Sequence, residues 1–241
     1  MRTRICHSIN GQYARYTLAG YYHYFALSDK CISKKMKHIM RYTKNSPEVK
    51  VIAEQERALP GNEEFAENGW FRIMLGRYLF AVSLCRDKSV LDTCCGLGWG
   101  AYLISSFTKE ITGIDICAEA IAFSQQQWNA PNLICRQGDA LSMPFDDNSF
   151  DVVLAFEALE HFSRADGERY IKEMMRVLKP GGSIVASSSF PPSEKMAQEE
   201  LKNNPYHLHI YTASEIRKLF KPHFRKVSLL GNLIVTARNL R

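Results

Sequence analysis

The stretch LDTCCGLGWG, at residues 91–100, places an acid before a glycine-rich turn. Gly96 and Gly98 can adopt backbone conformations that bring the chain close to a ligand, so the turn suits a nucleotide-like molecule. The turn alone leaves the ligand open, because Gly96, Gly98 and Ala101 also fit the G-x-G-x-x-G/A fingerprint of dinucleotide-binding proteins. The two adjacent cysteines have no C-x-x-C partner, so we expect no thiol or metal chemistry there.

Acids also follow the next apolar runs of the sequence. Asp115 ends ITGID and lies 19 residues after Gly96, Asp139 ends NLICRQGD, and Glu157 follows FDVVLAF. In an open parallel sheet the ligand lies at the carboxyl ends of the strands. Any one acid, Asp92 included, is most simply a turn or helix-cap residue. A series of acids at successive strand ends instead favours a ligand site.

Histidines and acids later in the chain are candidates for proton transfer. His161 lies in FEALEHF, after the fourth predicted strand. An imidazole has an ordinary pKa of about 6.5 and can accept a proton near neutral pH. Glu160 and Glu157 are the alternative bases. A packing or helix-terminal role for His161 is an equal alternative.

A second histidine pair lies in the segment YHLHIY. His207 and His209 have the spacing of metal ligands, and a strand would place both on one face. No third ligand is evident from the sequence, so we expect no metal site. We predict instead a substrate lid that includes Tyr206, His207, His209 and Tyr211.

The elements that would position these residues alternate between strands and helices. Short apolar runs predict the strands, and apolar residues at helical spacing predict the helices. This alternation predicts an α/β, Rossmann-like doubly wound sheet of seven mostly parallel strands, with an antiparallel last strand. The predicted strands are 89–93, 110–116, 132–140, 150–156, 183–189 and the final pair FRKVSLL and NLIVTAR; the predicted helices are 71–85, 100–107, 118–128, 167–179 and 213–221.

Five segments follow one another in an order and spacing typical of one family. They are LDTCCGLGWG, ITGIDICAEAI, GDALSMPFDDNSFDVV, FEALEHF and LKPGG. Over roughly residues 70–190 the chain resembles the class I S-adenosylmethionine (SAM)-dependent methyltransferases, of the methyltransferase-11/25-like small-molecule type. Weaker likenesses, in ERALPGN, GRYLFA and NPYHLHIYTASEI, are to members linked to surface-sugar modification. The resemblance implies in-line methyl transfer from SAM to an oxygen of a small-molecule or sugar acceptor.

The resemblance also implies roles for single residues. The glycine turn would hold the methionine part of SAM, Asp115 the ribose hydroxyls and Asp139 the adenine amino group. Arg77 would pair with the cofactor carboxylate, with an exposed helix arginine as the equal alternative. Cys94 departs from the family pattern, which usually has glycine or alanine there. The full implied cofactor set is Asp92, Cys94, Gly96, Gly98, Asp115, Ile116, Asp139, Ala140, Phe156, Glu157 and Arg77.

Residues 1–60 have a different character from the rest of the chain. Residues 1–50 contain ten Lys/Arg and two acids, a net charge of +8, whereas the 21 basic and 23 acidic residues of the remainder give −2. We therefore predict a basic, aromatic-rich N-terminal extension or lid over 1–60, with a basic helix within 30–44, and a methyltransferase domain over 61–241. A mitochondrial presequence is a minority alternative.

Composition and motifs limit the cellular location and the alternative functions of the protein. The chain has 46% hydrophobic and 23% charged residues, no apolar run of 18 residues and seven scattered cysteines, so we expect a cytoplasmic location without a membrane span. An RNA methyltransferase that grips phosphates with its basic arm is the first alternative. Against it, the fourth strand is not followed by Asn/Asp-Pro-Pro-aromatic, and no Pro-Cys nucleophile is present. A non-catalytic SAM-binding protein is the second alternative.

Overall fold

A computed structural model of the chain describes residues 30–42 and 70–239. These residues form helices around one sheet, with two short 3₁₀ turns at Ser105–Phe107 and Leu159–His161. The helices are α1 (Lys30–Tyr42), α2 (Trp70–Cys85), α3 (Trp99–Ile104), α4 (Ala118–Gln127), α5 (Arg164–Val177), α6 (Glu194–Asn203) and α7 (Ala213–Phe220). The strands are β1 (Ser89–Thr93), β2 (Glu110–Asp115), β3 (Leu133–Gln137), β4 (Phe150–Phe156), β5 (Leu178–Ser187), β6 (Phe224–Leu230) and β7 (Leu233–Asn239).

The strands form a sheet in the order β3-β2-β1-β4-β5-β7-β6. Strands β1 to β5 pair in parallel with their neighbours, and β7 lies antiparallel between β5 and β6. The order reverses between β1 and β4, because β2 and β3 extend to one side and the later strands to the other. The carboxyl ends of β1 and β4 therefore flank the position where open α/β sheets bind ligands.

Two apolar clusters cover the two faces of the sheet. Along β4, Val152 and Leu154 belong to the cluster that contains α2 and α3. Val153 and Ala155 belong to the cluster that contains α5 and α7. Successive side chains of a strand point to opposite faces, so helices pack on both sides of β4. The predicted α/β doubly wound architecture is confirmed.

Element boundaries differ from the predicted ones where local interactions decide them. Helix α5 begins three residues earlier than predicted, because the Ser163 side chain accepts a hydrogen bond from the Asp166 N–H and caps the helix. Strand β5 begins at Leu178 and so includes the Pro-Gly-Gly stretch that was predicted to precede it. Helix α6, capped by Ser193, was not predicted.

Helix α1 is the described part of the predicted N-terminal extension. Its Ile32 and Ile39 are fully buried in the cluster that contains α2 and α3. Lys35 is also buried, and its Nζ donates to Tyr102 O (2.6 Å) and to the Ser105 hydroxyl at the end of α3. Burial lowers the pKa of Lys35 to about 8. The rest of the extension, and its boundary at residue 60, lie outside the described residues.

Helices in the described ranges are too short or too polar to cross a membrane.

Candidate active site

In the glycine turn after β1, every second residue from position 94 to position 98 has a left-handed backbone conformation. Cys94, Gly96 and Gly98 have φ values of 51°, 54° and 71°. This conformation favours glycine, which agrees with the glycine or alanine that the resemblance implies at the position of Cys94. Two backbone hydrogen bonds hold the turn, Cys95 N–H to Ile114 O (2.9 Å) and Gly98 N–H to Cys95 O (3.0 Å).

The glycines of this turn differ in what surrounds them. A Cβ on Gly98 would lie 2.1 Å from Ser124 Oγ, and one on Gly100 would lie 1.9 Å from the Tyr78 ring. Those two glycines permit close packing inside the protein. A Cβ on Gly96 would meet nothing within 4 Å. Gly96 therefore presents bare backbone to open space at the carboxyl edge of the sheet, which leaves room for a cofactor.

Asp92, the fourth residue of β1, is buried below the glycine turn and contacts Tyr78 of α2. Its side chain is 1% exposed and accepts a hydrogen bond from the Tyr78 hydroxyl (3.0 Å). Burial raises the pKa of Asp92 to about 8. The Tyr78 ring also packs edge-on against Phe156 at 5.0 Å. The Asp92 carboxyl thus has a partner in Tyr78, and its predicted contact with the cofactor stays a prediction.

Asp115 ties the glycine turn to the second strand. Its carboxylate accepts hydrogen bonds from Gly96 N–H (2.9 Å) and Cys117 N–H (3.0 Å). Each carboxylate oxygen can accept a second bond, so the group keeps the capacity to bind hydroxyls. Ile116 beside it is 67% exposed at the same edge of the sheet.

Asp139 and Ala140 follow β3 at the same edge. Asp139 is exposed and accepts a hydrogen bond from Leu141 N–H (2.8 Å). Ala140 is buried. β2 and β3 pair in parallel with Asp115 opposite Gln137, which places the end of β3 beside the end of β2. Asp115, Ile116 and Asp139 therefore lie near one another at the carboxyl edge of the sheet.

Arg77 and Glu157 form a partly buried ion pair at the end of β4. Arg77 Nη1 lies 2.7 Å from Glu157 Oε1, and Ser187 Oγ donates to the same oxygen (2.9 Å). Arg77 is 5% exposed, so the alternative of an exposed helix arginine is wrong. Its predicted pairing with a cofactor carboxylate has a competitor in Glu157. Phe156, the preceding residue, is 4% exposed.

Glu160 and His161 lie in the 3₁₀ turn after β4. Glu160 is 3% exposed, and burial together with the nearby charge of Glu157 raises its pKa to about 8. Among the described residues, no group hydrogen-bonds its Oε2 atom. His161 is half-buried, and its Nδ1 lies 3.2 Å from Tyr206 O. A carbonyl can only accept, so this contact places the proton on Nδ1 and the lone pair on Nε2.

The segment YHLHIY is an irregular loop and not a strand. Leu208 N–H donates to Glu160 O (2.7 Å), which fixes the loop beside the 3₁₀ turn. His207 meets His161 edge-on at 5.3 Å between ring centroids. Potential ligand atoms of Glu160, His161 and His207 all lie within 4.8 Å of one another. Glu160 and His161, and not His209, are thus the potential ligand partners of His207.

The remaining lid residues separate into two kinds. Tyr206 is 53% exposed and available to a substrate. His209 packs edge-on against Tyr211 at 4.4 Å, away from the histidine pair. Tyr211 is 1% exposed, and its hydroxyl donates to Arg164 O (3.0 Å). The Tyr211 side chain therefore belongs to the core, and its predicted substrate contact stays a prediction.

Three residues of the site were not predicted from the sequence. Tyr78 supports Asp92, Ser187 supports Glu157, and the Asn204 amide contacts His207 Nε2 (3.0 Å). Tyrosine, serine and asparagine are common in all structural contexts, so these positions carry no signal in a single sequence.

Comparisons with known proteins agree with this fold. Residues 91–186 match the family model described as a methyltransferase domain. A probable S-adenosylmethionine-dependent methyltransferase of Mycolicibacterium smegmatis is 31% identical over 170 residues, which cover 69% of this chain and 62% of that protein. Phthiotriol/phenolphthiotriol dimycocerosates methyltransferase 1 of Mycobacterium ulcerans is 40% identical over 112 residues, 44% of this chain and 40% of that protein. The chain thus spans less than two thirds of these relatives.

A solved structure shows the same architecture. The YcgJ protein of Bacillus subtilis superposes with a TM-score of 0.56 and 26% identity, over 65% of this chain and 68% of that chain. The chain therefore contains a class I SAM-dependent methyltransferase domain. The family and the fold imply S-adenosylmethionine as the cofactor.

Proposed function

We propose that the protein transfers a methyl group from SAM to an oxygen of a small-molecule or sugar acceptor by in-line displacement. One observation carries this proposal. The open glycine turn after β1 and the Glu160–His161 turn after β4 follow strands that pair directly. A cofactor held at the first turn would lie next to an acceptor held at the second, and such positioning is the main requirement of a displacement reaction.

The cofactor side is assigned from exposure and hydrogen-bonding capacity. Gly96 would face the methionine part of SAM, Asp115 would accept from the ribose hydroxyls, and Asp139 would accept from the adenine amino group. Ile116 would lose its exposed surface against the adenine. Cys94, Gly98, Ala140 and Phe156 would shape the cavity. When bound, SAM supplies an activated methyl group on a sulfonium centre.

The residues of the acceptor side are assigned from how accessible their side chains are to an acceptor molecule. His161 is half-buried and Glu160 is almost completely buried. His161 is therefore the residue that can reach an acceptor hydroxyl and take its proton at Nε2. Tyr206, His207 and His209 would line the acceptor path. Asp92 and the Arg77–Glu157 pair act indirectly, by fixing the two turns.

We assign the catalytic domain to residues 61–241 and a basic extension to residues 1–60, with a cytoplasmic location. One observation favours RNA as the alternative acceptor. Lys30, Lys34 and Lys37 are exposed on α1, at a spacing that places them on one face of the helix. A basic face of this kind can bind phosphates. A non-catalytic SAM-binding protein is the other alternative.

Methyl labelling tests the proposal against both alternatives. The protein is incubated with methyl-labelled SAM and fractionated cell extract, and label is counted in RNA, polysaccharide, lipid and small molecules. We expect label outside RNA, with loss of transfer in Asp115→Ala. Label confined to RNA would instead support the alternative acceptor. Tight SAM binding without transfer to any fraction would support a non-catalytic protein.

A further inference from the structure

We propose that Glu160, His161 and His207 form a binding site for one divalent transition-metal ion of the Zn²⁺ type. The inference goes beyond the proposed methyl transfer, because it concerns a ligand that this reaction does not require. It uses the residues of the acceptor side but holds whether or not a methyl group is transferred.

The spacing of the three side chains fits such an ion. Their potential ligand atoms lie within 4.8 Å of one another. Around tetrahedral Zn²⁺, with bonds of about 2.0–2.2 Å, neighbouring ligand atoms are roughly 3.4 Å apart. Metal binding therefore requires the three ligand atoms to move closer together. Two imidazoles and one carboxylate are a donor set for zinc and its neighbours, whereas magnesium and calcium prefer oxygen ligands.

The buried carboxyl group of Glu160 gives a second, independent reason. Its Oε2 atom is buried, and within residues 30–42 and 70–239 no group hydrogen-bonds it. A buried polar atom without a hydrogen bond costs about 1–3 kcal/mol, so native proteins rarely leave one in place. A coordinated cation would satisfy this oxygen.

The surrounding hydrogen bonds orient the histidines. Tyr206 O accepts from His161 Nδ1, which leaves Nε2 as the ligand atom. Carbonyl partners of this kind commonly orient histidines that bind metals. Since one lone pair serves both purposes, metal binding and proton uptake at His161 exclude each other. A filled site therefore withdraws His161 from the role of base.

The hydrogen bond with Asn204 affects how well His207 can coordinate a metal ion. Its Oδ1 accepts from Tyr206 N–H (2.9 Å), so its Nδ2 faces His207 Nε2. Coordination through His207 Nδ1 requires a proton on Nε2, and the Asn204 amide must then rotate to offer oxygen. The isosteric change Asn204→Asp removes this conflict, because one carboxylate oxygen accepts from Tyr206 N–H and the other from His207 Nε2–H.

The test measures metal binding by untagged, metal-stripped full-length protein without SAM. Zn²⁺ affinity is determined by competition with a chromophoric chelator, and Co²⁺ is followed by its visible absorption. We expect one ion per chain in the wild type, at least 100-fold weaker binding in His207→Ala, and about 10-fold tighter binding in Asn204→Asp. His209→Ala, two residues along the same loop, is the matched control and should bind as wild type.

Three results would overturn the metal site. They are no stoichiometric Zn²⁺ binding by the wild type, equal binding by wild type and His207→Ala, and no gain in Asn204→Asp. Circular dichroism and SAM affinity, measured on each variant, report whether it is folded. Failure of SAM binding with intact metal binding would count against the proposed function and leave the metal site standing.

Discussion

The cofactor side and the acceptor side of this site are built differently. The cofactor side contains the glycine turn and the residues that follow β2 and β3, and Asp115 joins them by accepting from Gly96 N–H and Cys117 N–H. The acceptor side joins a 3₁₀ turn to a loop that lies 45 positions later in the chain, where Tyr206 O meets His161. The cofactor side lies at the ends of buried strands and resists change, whereas the acceptor side includes an irregular loop and can be altered without loss of the fold.

The largest expected effect concerns the carboxyl group behind the cofactor turn. Burial raises the pKa of Asp92 from its ordinary value of 3.8 to about 8. Between about pH 4 and pH 8 the unfolded chain releases this proton first, so Asp92 makes the protein less stable as pH rises. The difference in unfolding free energy, wild type minus Asp92→Asn, should fall by roughly 1.4 kcal/mol per pH unit in this window. Urea titrations at several pH values measure it, and parallel curves would contradict the assignment.

Packing around the turn gives the next effect. A Cβ on Gly100 would overlap the buried Tyr78 ring, so Gly100→Ala should lower the unfolding free energy by about 3 kcal/mol. Gly181→Ala is the control: it has φ 79° but no atom near its Cβ, and should cost about 1 kcal/mol. Urea unfolding compares the two variants. Equal losses would show that crowding at Gly100 is unimportant.

SAM affinity tests the two acids that follow β2 and β3, of which Asp115 is buried and Asp139 is exposed. Asp115→Ala removes a group that binds the turn and, in our proposal, the ribose, so SAM should bind about 100-fold more weakly, roughly 2.7 kcal/mol. Asp139→Ala should weaken it about tenfold, because this exposed residue supports no other element of the turn. Isothermal titration calorimetry measures both. Wild-type affinity in Asp115→Ala would refute the proposed cofactor site.

The smallest effects test the division of the acceptor loop into core and substrate residues. Tyr211→Phe loses the hydrogen bond to Arg164 O, so the unfolding free energy should fall by about 1 kcal/mol, with KM for the acceptor unchanged. Tyr206→Ala should leave stability within about 0.5 kcal/mol and raise KM for the acceptor. Thermal unfolding and initial-rate kinetics measure both variants. The reverse pattern would place Tyr211 in the substrate path.

The same contrast explains what could be predicted from the sequence. The glycine turn, β1 and β4 follow from local patterns, because left-handed turns need small residues and buried strands need apolar runs. Asp115 follows from its distance to Gly96. The contact of His161 with His207 depends on the path of an irregular loop, for which the sequence has no periodic pattern.

The burial of Arg77 could have been predicted from the spacing of its neighbours in the sequence. Met74 and Ala81 lie three residues before and four residues after it, and both are buried. Residues at this spacing share one face of a helix, so Arg77 belongs to the buried face of α2. Its partner Glu157 was not predictable, because the pairing depends on how α2 packs against the end of β4.

The most direct test of the central claim compares methyl transfer by the wild type and by His161→Ala at saturating labelled SAM. We predict that both proteins bind SAM equally, that the wild type labels a non-RNA acceptor, and that His161→Ala transfers at least 100-fold more slowly near neutral pH. Full transfer by His161→Ala would contradict the claim that the turn after β4 takes the acceptor proton. SAM binding without any transfer by the wild type would contradict the proposed function itself.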